Sequence, residues 1–193
     1  MTAAVSVKGQ RAREAILSVA TTAFAERGYG EVTLEDLAAG LGMTRSAVLY
    51  HFGSKEEILS EIVATFFARL DLLLDGARTG APLSAARRRQ FLTAFVDLLC
   101  NERAVSTLLA RDITAPTHLG AGHQLRDRVE TFCRILAGPD SSEEQRLRVM
   151  IALGGIVRPV STSPEVVGLS TAAERRILVD CACASLRTTR ARR

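Results

Sequence analysis

Apolar residues along this chain recur at helical spacing, and no stretch shows the sustained alternation of a half-buried strand. From Arg11 to Arg27, the residues Ile16, Ala20, Ala23 and Phe24 share one face, and Gly28-Tyr29-Gly30 stops the pattern. Thr33-Leu34-Glu35-Asp36 reads as the start of a second helix: a threonine cap, then acids where the helix dipole favours negative charge. Its apolar side is Leu34, Leu37, Ala38 and Leu41, and Gly40 and Gly42 close it. A third short helix is expected from about Thr44 to Phe52-Gly53, and Ser54-Lys55-Glu56-Glu57 is a capping-box pattern opening a long fourth helix through about Leu74. Beyond a Gly/Pro-containing break at Asp75 to Leu83, the periodicity predicts helices at 84–100, 103–111, 119–137, 143–158 and 171–188. The last two follow the cap signals Ser141-Ser142-Glu143-Glu144 and Thr171-Ala172-Ala173-Glu174. Arg158-Pro159 to Gly168 reads as a loop, because a residue before proline is pushed out of the helical region. The expectation is an all-α chain of about nine helices. Residues 1–55 would form an N-terminal three-helix domain led by a flexible arm at 1–9, and 56–193 a C-terminal helical domain ending in a flexible tail at 187–193.

With 193 residues, 47% of them apolar, the chain can bury a core and is excluded from the disordered class. The longest apolar-plus-glycine run, Val149 to Val157, falls far short of the roughly 20 residues needed to cross a bilayer. With no secretion-signal pattern either, the expected location is the cytoplasm. Cys100, Cys133, Cys181 and Cys183 follow no zinc-ligand spacing and read mainly as buried free thiols, so no metal or cofactor is expected. Net charge is +4, but residues 1–55 set Lys8, Arg11, Arg13, Arg27, Arg45 and Lys55 against Glu14, Glu26, Glu31, Glu35 and Asp36, a balance of +1. Total charge therefore does not locate a nucleic-acid site; placed cations and helix ends would have to do so.

Thr33 to Phe52 has the plan of a helix-turn-helix: a short capped helix, a tight turn in which Gly42 can take positive φ, and a second short helix. Val48 and Phe52, four apart, would face inward with Leu37 and Leu41. The rest of the second helix offers Thr44, Arg45, Ser46, Tyr50 and His51. In such motifs that helix enters the major groove of duplex DNA, N-terminal residues at base edges. Arg45 suits a bidentate guanine contact, Thr44 and Ser46 suit bases or phosphates, and Tyr50 and His51 suit the backbone. Lys55 lies in the first turn of the fourth helix, where free backbone N–H groups and a cation suit a phosphate, and Thr33 marks a similar helix start.

Residues 11–59 resemble the N-terminal domain of the TetR family of transcriptional repressors, through the AFAERGY segment, Thr33 before an acidic helix start, the glycine turn, and YHF-x-SKE in tandem. The resemblance implies a three-helix DNA-binding domain joined by the fourth helix to an all-helical ligand-binding and dimerisation domain. It implies a homodimer that holds a palindromic operator and releases it when a small molecule binds. Leu49 stands where the family commonly has a phosphate-contacting tyrosine, and Tyr50 comes one place later, so either residue is a candidate contact.

In the C-terminal part, the run from Val149 to Val157 is apolar all round, which calls for burial on every face. With the 171–188 helix it makes Met150, Leu153, Gly154, Val157, Ile177, Cys181 and Ala184 the dimerisation candidates. Phe91, Phe95, Leu99, Leu108, Phe132 and Met150 are either ordinary core or the lining of an apolar effector cavity, with Arg103 and Arg111 as its polar groups. His118 and His123 lie in a glycine-bearing loop that could gate an entrance. No nucleophile–base set or phosphate-cradling glycine loop is present, so no enzymatic activity is expected. The readings left open are a helical small-molecule-binding protein or enzyme with a purely structural N-terminal motif, and a DNA-binding activator.

Overall fold

The computed structural model describes residues 7–78, 83–111, 122–161 and 169–187. These form helices α1 (Val7–Arg27), α2 (Leu34–Gly40), α3 (Arg45–His51), α4 (Lys55–Ala77), α5 (Ala85–Asn101), α6 (Arg103–Arg111), α7 (Gly122–Ala137), α8 (Glu143–Ser161) and α9 (Ala172–Ser185). The fold is all-α among the described residues.

The caps explain where the short helices begin. The Thr33 side chain accepts from the Asp36 N–H, and the Asp36 carboxylate accepts from the Thr33 N–H, a reciprocal box that starts α2. Arg27, at the end of α1, donates to the same carboxylate at 2.9 Å and to the Glu31 carbonyl at 3.0 Å, tying the box to the preceding helix. The backbone and arginine donors together hold the Asp36 carboxyl below its ordinary pKa. Gly42 has φ +61° in the α2–α3 turn, a conformation that costs a residue with a Cβ about 1–2 kcal/mol. Ser54 caps α4 by accepting from the Glu57 N–H, while the Glu57 carboxylate takes the Gly53 N–H, one residue ahead of the position a reciprocal box would use.

Three expected boundaries move. α4 continues through Gly76 to Ala77, past the break expected at Asp75, because Leu74 and Ala77 are buried and packing offsets the weak helix propensity of glycine. α8 begins behind Ser142, whose hydroxyl accepts from the Gln145 N–H and whose own N–H donates to the Gln145 side chain, so the cap lies one residue later than the pattern suggested. α8 also runs through Pro159 to Ser161, where a loop was expected from Arg158 onward. Val160 is buried and the Ser161 hydroxyl donates to the Ser106 carbonyl, so tertiary contacts hold a final turn that proline weakens. The expected arm and tail lie largely, and His118 wholly, outside the described residues.

One continuous core runs from Ile16 and Phe24 through Phe52, Ile62 and Phe66 to Leu92, Leu136 and Ile156. α2 and α3 pack on each other and on α1. α1 also packs on α4 and α6, α4 on α5 and α7, and α9 on α5 and α8. α1 and α4 thus connect the three N-terminal helices to the rest of the molecule. Among the described residues, no helix is long and apolar enough to cross a membrane, and no group of side chains could hold a metal ion.

Candidate nucleic-acid interface

α3 spans only seven residues, too few to be stable in isolation, so packing must hold it. Val48 and Phe52 are fully buried beside Leu37 and Ala38. Leu41 and Leu49 are only half-buried. The Thr44 hydroxyl accepts from the Ala47 N–H at 3.2 Å, which makes Thr44 the N-cap of α3. It also lies 3.0 Å from the Ser46 hydroxyl. The two expected threonine contacts are therefore both caps, each accepting a backbone N–H through its hydroxyl oxygen.

The outward face carries Arg45, Ser46 and Tyr50, all exposed, with Tyr50 at 86%. Tyr50 meets the half-buried His51 ring edge-on, with centroids 5.3 Å apart. The Arg45 Nε lies 2.9 Å from a Glu35 carboxylate oxygen. The contact is at the Nε edge of the guanidinium.

Lys55 differs from the expectation of an ammonium offered to a phosphate. Its Nζ donates to the Tyr29 and Val32 carbonyls, each at 2.9 Å, and sits 4.3 Å over the Tyr29 ring. The α1–α2 turn, with Gly28 at φ +95°, leaves carbonyls without helical partners, and the lysine satisfies two of them. Beside it, the Tyr29 hydroxyl donates to Glu56 at 3.0 Å. Partial burial and the neighbouring carboxylate push the Tyr29 phenol pKa up, whereas the Glu56 carboxyl is lowered by its own backbone N–H and by Tyr29.

Arg13 has a structural role that sequence reasoning missed. From α1 it donates to the carbonyl of His51 at the end of α3, pairs with Glu61 on α4, and lies 4.0 Å over the Phe52 ring. The partners are 38 and 48 residues away, so no local pattern could reveal them. Glu35 was equally unmarked, being read only as an acid in a first turn.

A sequence model described as bacterial regulatory proteins, tetR family, matches residues 16–62, the span that holds this arrangement. These residues form a helix-turn-helix domain of the tetR family. The chain is 33% identical over 91 residues to the HTH-type transcriptional repressor BepR of Brucella suis, covering 47% of this chain and 44% of that protein. It is 37% identical over 75 residues to the HTH-type transcriptional repressor KstR2 of Mycobacterium tuberculosis, 37% of this chain and 36% of that one. The aligned stretch thus spans less than half the length of these relatives. Solved structures match more of the chain. The TetR-family regulator PfmR of Thermus thermophilus is 26% identical with a TM-score of 0.69, covering 90% of this chain and 99% of that one. The ketosteroid transcriptional regulator KstR2 of Mycobacterium tuberculosis shares the fold at a TM-score of 0.70 and 20% identity, covering 96% of this chain and 97% of that one.

Outside this tetR-family domain, the effector candidates that the structure describes lie mostly within the core. Phe91, Phe95, Leu99, Leu108 and Phe132 are buried, and the Phe132 ring packs on Phe95 at 4.9 Å and Phe91 at 5.7 Å. These side chains fill the core by touching one another. Phe91 also borders a cleft of about 310 Å³ between α4 and α5, with Leu72, Leu73 and Ala94 and the polar Arg87 and Gln90. Arg103 is half-buried on α6, and the Arg111 and His123 side chains lie outside what the structure describes. Met150 points away from that core and is 47% exposed.

Met150 instead joins an uncovered apolar surface. Leu147, Ile151 (65% exposed) and Ile177 (62%) lie on the open sides of α8 and α9, along with Gly154, Cys181 and Ala184. Val149, Ala152, Leu153 and Ile156 cover the inner side of α8, and Val157 is half-buried. Of the thiols, Cys133 is buried, Cys100 and Cys183 are half-buried, and Cys181 is exposed, contrary to the expectation for this last one. Burial pushes the Cys100 and Cys133 thiols up, away from thiolate chemistry.

Proposed function

We propose that this protein is a homodimeric transcriptional regulator, acting as a repressor, that binds a palindromic operator and releases it when a small, largely apolar effector binds. The observation that carries the reading is the division of α3, which buries Val48 and Phe52 completely while exposing Arg45, Ser46 and Tyr50 on its other side. A helix held in this way can enter a major groove without losing its packing. Arg45 reads a guanine, Thr44 and Ser46 meet bases or phosphates, and Tyr50, with His51 beside it, reaches the sugar–phosphate backbone. Leu49 packs and at most touches a thymine methyl. The Thr33 hydroxyl and N–H groups in the first turn of α4 meet phosphates, and Lys55 shapes that site by holding the turn beside it. The relatives named as repressors support the direction of control.

The uncovered sides of α8 and α9 support the pairing of two copies, since an apolar face of this extent is stabilised by burial. A two-fold dimer presents two α3 helices to half-sites about 34 Å apart. Residues 1–55 form the DNA-binding unit and 56–193 the effector and dimer unit. The cleft beside Phe91 supports an effector site against α4. Displacing α4 disturbs α3 through the Arg13 contacts with Glu61 and His51.

The test is binding of the purified protein to duplex DNA flanking its own gene, between about 50 and 200 mM salt. A specific complex is expected, with affinity falling steeply as salt rises because phosphate contacts release counterions. Failure to bind any fragment above background, with or without candidate effectors, would overturn the proposal.

A further inference from the structure

The surface around α3 holds an acid where a polyanion would dock. Glu35 is exposed in the first turn of α2, and a carboxylate oxygen of it lies 2.9 Å from the Arg45 Nε as an ion pair. A negative charge in such a face opposes every phosphate alike, so it lowers affinity for all sequences. The same contact lies at the Nε edge of the guanidinium, whereas the end-on fork of N–H groups is the edge that matches the O6 and N7 of guanine. A tethered arginine also gives up less side-chain freedom on binding than a free one.

We infer that Glu35 is a specificity-determining residue, which sacrifices general DNA affinity to hold Arg45 in its base-reading orientation. This rests on the DNA-binding function proposed above. Glu35 is a positioning residue, acting through Arg45, and its signature is a split between two readouts. Removing its charge raises affinity for random DNA while lowering discrimination at one base pair. Loss of fold would lower both. Both side chains are more than half exposed, so the effect is modest: an exposed ion pair corresponds to about a two- to fivefold change.

The experiment selects preferred sites from a random duplex pool with the wild-type protein, then measures Glu35→Gln, Arg45→Ala and the double variant. Affinities are read on the selected site, on that site with each base pair changed in turn, and on random DNA at fixed salt. Thermal unfolding of each variant checks the fold. Glu35→Gln is expected to bind random DNA about two- to fivefold more tightly. It should also lose discrimination, by a similar factor, at the base pair where Arg45→Ala loses it, with no further loss there in the double variant. If Glu35→Gln keeps the wild-type discrimination at that pair, or loses it equally at all pairs, the inference is overturned while the DNA-binding function stands. If the wild type enriches no sequence and binds no DNA, both fall.

Discussion

The Arg13 contacts give the interface its sharpest mechanical test. Arg13→Ala removes a charge-assisted bond to the His51 carbonyl, an ion pair with Glu61 and the guanidinium 4.0 Å above the Phe52 ring. The ion pair is about a third exposed on both sides, 31% and 38%, and contributes less than about 1 kcal/mol. The stacking on Phe52 adds about 0.5–1 kcal/mol, and the bond to the carbonyl about 1 kcal/mol once water competes for both groups. These contributions overlap, and about 2 kcal/mol for the side chain is a fair total. The loss falls on one joint, the end of α3 where α1 and α4 meet it. Amide hydrogen exchange of the α3 residues Ala47 to His51 should therefore speed up about 30-fold if α3 opens locally, while α8 and α9 change little. Binding of DNA should weaken with it, and Arg13→Lys should recover part of both effects through its remaining charge. Unchanged exchange in α3 together with unchanged DNA affinity would refute the argument that this arginine holds the helix.

Three further outcomes follow from the structure. Ile177→Asp places a carboxylate in the open apolar face of α8 and α9, and sedimentation equilibrium should show a dimer weakened about a hundredfold, roughly 3 kcal/mol for a desolvated unpaired charge; an unaltered dimer constant would move the interface elsewhere. Gly42→Ala has open space around the added carbon but must adopt φ +61°, so urea unfolding should show a loss of about 1–2 kcal/mol, and no loss would mean that the turn relaxes freely. Asp36, Glu56, Glu130 and Glu174 all have carboxyl pKa values depressed in the fold. Their stabilisation is complete above the unfolded values near about 4 and is lost as pH falls towards the folded ones, so circular dichroism at fixed urea should show acid destabilisation below about pH 4, and a flat profile there would contradict it.

By itself, the sequence determined the local structure of this protein. The helical stretches of the described residues, the Thr33 and Thr171 capping boxes, the glycine turn at Gly42 and the inward pair Val48 and Phe52 are all legible, because caps, periodicity and positive φ depend on residues within one or two turns. It misplaced the ends of α4 and α8 at Gly76 and Pro159, where weak helix formers are overruled by burial of Ala77 and Val160. Tertiary structure decided which charges are committed elsewhere. Lys55 has the spacing of a phosphate ligand, yet it satisfies two carbonyls more than 20 residues upstream. Arg45 has an acid partner on the neighbouring helix, and Arg13 closes a joint with residues 38 and 48 positions away. It also decided which apolar residues are core: Phe95 and Phe132 fill each other's space, while Ile151 and Ile177 find none. Helical periodicity identifies an apolar face, but the element that covers it is set by three-dimensional packing, which sequence spacing does not encode.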